Sequence, residues 1–336
     1  MTGFKSYFRS HLRSNSKILL YLTSIMLVLT VINGINSGVG LMWSSELHTY
    51  VKTYRSTIGM PVIFICLLVY VAPVLEFSFF KKRINLNCAY SMPISRRAMG
   101  MVHYISGAII VALPYTLSYI LNFIMILTRG TEHYNLAHIA GHYFLCLILG
   151  LAIYSLMAFV FNEANTTGDG IWFMFLWTFV TFFAVIALDK VTTAMSYYVL
   201  EPIPWALISE ITTGYKHLIE LDVPKYYDSG FLETSEYIFW TVSWILIGIA
   251  SGVGFFLSFG KRRMEKTEEI SDSFFGYRVL IPYFAVTGII GLGTFPMWVA
   301  FEILALIGYT IYRRGLRYKL SDIITLLALG ILLFTL

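Results

Sequence analysis

Charge is scarce in this sequence. Only 13% of its 336 residues are Asp, Glu, Lys or Arg, roughly half the share in a soluble domain. So little charged surface cannot solvate a globule of this size. That excludes an ordinary soluble enzyme, a disordered chain and a nucleic-acid binder. Cysteine is scarcer still, with three: Cys66, Cys88 and Cys146. No pair falls in a hydrophilic external loop, so no disulfide framework is expected, and the spacing matches no metal motif. Catalytic signatures are missing too. No His-Glu-x-x-His or Gly-x-Ser-x-Gly occurs. The nearest string to a phosphate-binding loop runs from Gly254 to Arg262. It has one residue too many between its glycines and no Ser or Thr after Lys261. No catalytic residue and no metal ligand are therefore assigned, and the chain is not expected to be an enzyme.

What is abundant is apolar. Hydrophobic residues make up 57% and aromatics 17% of the chain, and the mean hydropathy is +0.72. The apolar residues form runs of roughly 20, the length of a membrane-crossing helix. Candidate spans cover 18–42, 57–77, 98–128, 138–161, 170–188 and 237–259, with shorter ones at 278–294 and 295–312. A last apolar stretch covers 321–336. The runs lack period-2 alternation, which excludes a barrel, and lipid leaves helices as the remaining choice. The expected fold is an all-α polytopic membrane protein: a six-span core over 18–260, then an inner linker and two or three short C-terminal spans over 261–336. Pro114 predicts a kink in the third span.

Basic residues set the orientation. With the N-terminus inside, the inner segments 1–17, 78–97, 260–278 and 313–319 hold four, five, five and four of them, 18 of the 24. The split predicts a cytoplasmic N-terminus in a multi-pass plasma-membrane protein. The apolar run after residue 17 is too long for a signal peptide, so the first span is expected to remain. Residues 1–17 form their own element. Phe4, Tyr7, Phe8 and Leu12 share a helical face that excludes Lys5, Arg9 and Arg13, the pattern of an amphipathic helix lying in the membrane interface. The external loop, 189–238, carries eight acidic residues against three lysines. It reads as a gate at the outer face or as ordinary solvated surface.

Several polar groups lie within the spans. Asn33, Asn36 and Asn122 line a path or bond across helices, and Glu302 is the boldest case, because a carboxylate in lipid is costly. The aromatic stripe of the fifth span, with Trp172 and Phe175, offers a lateral path to amphipathic cargo or simply faces lipid. His138 and His142, one turn apart, read as structural, because no acid stands between them to complete a zincin-type site. Gly248 and Gly252 permit close helix approach, within the chain or at a dimer seam.

The loop after the second span is the most informative. In Glu76-Phe-Ser-Phe-Phe-Lys-Lys-Arg-Ile-Asn-Leu-Asn-Cys-Ala-Tyr-Ser-Met-Pro-Ile-Ser-Arg-Arg97, Phe77, Phe80 and Ile84 share a helical face while Lys81, Lys82 and Asn85 face away. Pro93 breaks the helix and Ser95 caps the next. This stretch, with its ending from Tyr90 to Arg97, resembles the first coupling helix of the membrane (permease) subunit of a type-2 ABC exporter. The N-terminal amphipathic helix fits that family, as does the short inner turn from Asn162 to Asp169. The resemblance covers roughly residues 1–260 and is nearest to permeases of bacterial peptide exporters, such as the phenol-soluble-modulin exporter.

It implies a permease working as a dimer with a second permease subunit. Two copies of a separate ABC ATPase would bind ATP and Mg, and no cofactor would sit on this chain. It also implies ATPase coupling through residues 77–95 and 162–169: Glu76 just before the first, Phe77, Phe80, Lys81, Lys82, Arg83, Asn87 and Tyr90 within it, and Asn162, Glu163, Asn165 and Asp169 in the second. The cargo would be amphipathic or hydrophobic peptides. The alternative is an ion-gradient-driven secondary transporter using Glu302.

Overall fold

The computed structural model describes residues 2–36, 39–44, 49–54, 59–91, 94–128, 136–193, 208–209, 211–212, 235–261, 267–269, 271, 273–292, 295–313, 315–316 and 318–335. Long helices follow the apolar runs: α1 (Thr2–Asn36), α2 (Gly59–Phe77), α4 (Arg96–Thr128), α5 (Leu136–Glu163), α6 (Thr167–Thr193) and α7 (Ser235–Phe259). The short α3 (Arg83–Tyr90) follows α2 through a 3₁₀ turn, Ser78–Lys81. Three further helices are described after α7: α8 (Tyr277–Leu292), α9 (Phe295–Arg313) and α10 (Leu320–Thr335). Among the described residues, six helices are long and apolar enough to cross a membrane. Their outward faces are apolar: Leu20, Ile35, Leu67, Trp172 and Phe239 are all exposed. Water would penalise such a surface and hydrocarbon would not, so the chain is an all-α polytopic membrane protein.

Two expectations at the N-terminus change. Residues 2–36 form one helix, with no break near residue 17. No Gly or Pro lies between Arg13 and Ile18, so nothing there stops propagation. The amphipathic pattern itself is present: Phe4, Tyr7, Phe8 and Leu12 are half-buried while Lys5, Arg9 and Arg13 are exposed. The helix also stops at Asn36, short of the expected end at 42. Residues Val39–Ser44 (β1) pair antiparallel with Thr49–Tyr54 (β2), from Val39 opposite Tyr54 to Ser44 opposite Thr49. Val, Trp, Thr and Tyr favour such a ribbon. α4 runs unbroken through Pro114. Within the expected external loop 189–238, residues 208–209 and 211–212 are helical. Most of its charged residues lie outside the described residues.

The chain divides into two compact units. The first holds Met1–Ala72, Ala98–Ser155 and Pro204–Ala250. Its core is apolar around Ile65, Val69, Val111 and Leu149, with buried hydroxyls joined in pairs. Thr30 meets Ser118 at 2.7 Å, and Tyr104 meets Ser155 at 2.5 Å. Gly248 lies so close to α5 that a Cβ there would stand 2.6 Å from Ala152 Cα. Its small size therefore serves packing within the chain. The second unit holds Pro73–Arg97, Leu156–Ile203 and Ser251–Leu336. There α8 packs between α6 and α9, and α10 packs on α9. Phe183, Phe284 and Phe301 interlock where the first three of these meet.

Candidate functional site at the inner junction

Three of the segments expected on the inside, 78–97, 162–169 and the linker after α7, meet in the second unit. The last turns of α2 lead into the 3₁₀ turn, and here the expected helical phase is lost. A 3₁₀ turn repeats every 3.0 residues, and Lys82 is then extended (φ −111°, ψ 129°). Phe77 and Phe80 stay on one face and pack against α7, with ring centroids 5.0 Å from Phe255 and 5.3 Å from Phe259 respectively. Ile84, expected on the same face, is thrown outward and is 73% exposed.

Lys81 is reversed as well. Expected to face away, it is 2% exposed. Its ammonium donates to Phe161 O at 2.7 Å, Asn162 O at 3.1 Å and Ala164 O, and it lies 5.0 Å from the Phe161 ring centre. The last carbonyls of a helix lack partners along the helix and form its negative end. One ammonium has three protons, and three carbonyls take them, two from the last turn of α5 and one just beyond it; the Phe161 carbonyl also accepts the Ala164 N–H at 3.3 Å. Lys81 thus ties the first inner turn to the end of α5.

The second inner turn is capped from within and strapped from outside. Thr166 Oγ1 accepts the Asp169 N–H at 3.0 Å, an N-cap for α6. Asn162 donates to Ser258 Oγ at 2.8 Å, while its Oδ1 is buried with no hydrogen-bond partner among the described residues. The linker after α7 then crosses the turn. Ser271 donates to Glu163 O at 2.8 Å and Ser273 to the Glu163 carboxylate at 2.6 Å. The Tyr277 hydroxyl donates to Asp169 at 2.7 Å. Burial first, then the Asp169 carboxylate, raise that phenol above a tyrosine's usual range, so it keeps its proton. Trp177 Nε1 donates to Phe275 O at 3.0 Å. The linker reaches α3 too, where Arg83 Nε donates to Thr267 O at 2.9 Å.

Of the expected coupling residues, Glu76, Phe77, Phe80, Lys81 and Asn162 are interior. Lys82, Arg83 and Asn87 are exposed, and Glu163, Asn165 and Asp169 are half-buried. Tyr90 ends α3, and its side chain lies outside the described residues. The expected path residues do not share one compact unit. Asn33 is half-buried and Asn122 buried in the first unit, and the side chain of Asn36 lies outside the described residues. Trp172 and Phe175 are exposed in the second, and Glu302 is half-buried there.

Sequence reasoning missed two features. One is the strap of Thr267, Glu268, Ser271, Ser273 and Tyr277, signalled only by an acidic pair and hydroxyls inside a basic segment. The other is a buried network in the first unit. His142, fully buried, meets the Tyr119 hydroxyl at 3.0 Å, Thr212 at 3.2 Å and Cys146 at 3.4 Å. No family model matches this sequence, and no curated protein sequence matches it.

Proposed function

We propose that this chain is the permease subunit of an ATP-driven exporter in the plasma membrane, with its N-terminus in the cytoplasm. A separate ATPase subunit, present twice, would bind ATP and Mg and dock on the inner junction, and a second permease subunit would complete the complex. The observation that carries this reading is α3. It is an eight-residue helix between two membrane-length helices, fastened at Lys81 to the end of α5, with Ile84 and Lys82 turned outward. A partner that pushes on α3 pushes on α2, α4 and α5 at once. The extensive apolar surface suits amphipathic or hydrophobic peptide cargo that enters from the bilayer.

The test is reconstitution with a candidate ABC ATPase subunit from the same cell. ATP hydrolysis should rise when the two are combined. Ile84→Asp should abolish that rise while the purified chain melts as before. Normal stimulation by Ile84→Asp, or no complex at all, would sink the reading. Export that survives ATP depletion but is lost in Glu302→Gln would favour an ion-driven transporter instead.

A further inference from the structure

One backbone conformation at the inner junction is disfavoured for its residue type. Glu268 sits at φ 70°, where a Cβ crowds the backbone and glycine would not. A residue remains there only where its surroundings hold it. Its N–H donates to Asn165 O at 3.3 Å, in the second inner turn. Its carboxylate accepts the N–H of Arg83 at 3.1 Å and faces the Arg83 guanidinium at 3.7 Å. Arg83 opens α3, so a carboxylate from far along the chain caps the first turn of that helix. Glu269 stands 3.6 Å from the same guanidinium. These side chains are about half exposed, so the ion pairs supply little energy. What they supply is geometry. One strained residue touches both inner segments, and Lys81 joins the same two segments from the buried side.

We infer that Glu268 is a positioning residue that latches α3 to the second inner turn, so that the two move as a single lever. The inference deepens the exporter reading and rests on it for its use, but not for its test. The strap that carries Glu268 lies beyond the six-span core, so it is a device of this chain's own C-terminal part.

The test uses the full chain in lipid nanodiscs, by amide hydrogen exchange and thermal melting. Glu268→Gly removes the carboxylate and relieves the backbone, while Glu268→Gln keeps the shape and one acceptor oxygen. In Glu268→Gly the melting temperature should hold or rise, yet exchange over 83–90 and 165–169 should rise together, by about tenfold. Glu268→Gln should raise exchange in the same two segments by less. Faster exchange in only one segment, or in neither, would overturn the latch. So would a fall in melting temperature with unchanged exchange. No ATPase takes part, so a failed exporter reading and a failed latch give different results.

Discussion

A buried charge is the most informative single residue of this chain. Burying the Lys81 ammonium is costly unless acceptors take its protons, as these carbonyls do. Lys81→Met would take a charged donor from the Phe161, Asn162 and Ala164 carbonyls, and each weakened buried acceptor should cost up to about 1–3 kcal/mol. The expected outcome is a lowered melting temperature, read by a thermal ramp on the purified chain, with Lys81→Arg restoring it only in part because a planar fork cannot replace three converging protons. Gly248 is the apolar counterpart. Gly248→Val would drive a side chain into α5 at Ala152 and should cost about 1–3 kcal/mol, whereas Trp172→Ala, at an exposed position, should leave melting unchanged. Asp322 gives the pH dependence. Two bonds of 2.8 Å from Arg313, and then the Lys319 N–H, hold its carboxyl below the usual range. A depressed pKa contributes stability above the unfolded value of about 4, lost as pH falls through the folded value. Melting measured from pH 6 down to pH 3 should fall more steeply in the native chain than in Asp322→Asn.

At the scale of elements, the apolar runs marked most helices to within a few residues, because length and hydropathy alone decide which segments suit lipid. Where short-range geometry decides, the sequence was less legible. The end of α1 went unread because the residues of β1 are apolar enough to extend a span and betray a ribbon only by their pairing. The short helix expected between the second and third spans is present as α3, but the faces of this stretch were assigned on a 3.6-residue period that the turn at Ser78–Lys81 breaks. That error has a measurable consequence. Phe80→Asp should unfold the second unit, at a cost above about 3 kcal/mol, while Ile84→Asp should leave folding intact. Chain yield and melting temperature separate the two. The strap was not legible, because hydroxyls that bond to a turn about 108 residues away leave no periodic trace.

For the whole molecule, the distribution of basic residues predicts the orientation, and the structure draws three of the predicted inner segments into one junction through Lys81, Arg83 and the strap. A cysteine scan would test the sidedness. After replacement of the three native cysteines, Lys82→Cys and Asn165→Cys should react with an impermeant maleimide only in permeabilised cells, and Thr53→Cys in intact ones. Labelling of Lys82→Cys in intact cells would invert the assigned orientation.

The Lys81 cage also sets an order of manufacture. Its three carbonyls lie 80 to 83 residues downstream, so a growing chain carries an unhoused ammonium until α5 has been made. At the usual pace of synthesis that wait is about 4–16 s. During it the basic turn after α2 has nothing to close on, and the first two helices stand in the membrane as an unfinished pair. The Lys81 acceptors exist only once the end of α5 has emerged, and the aromatic partners of the same turn, Phe255 and Phe259, come later still.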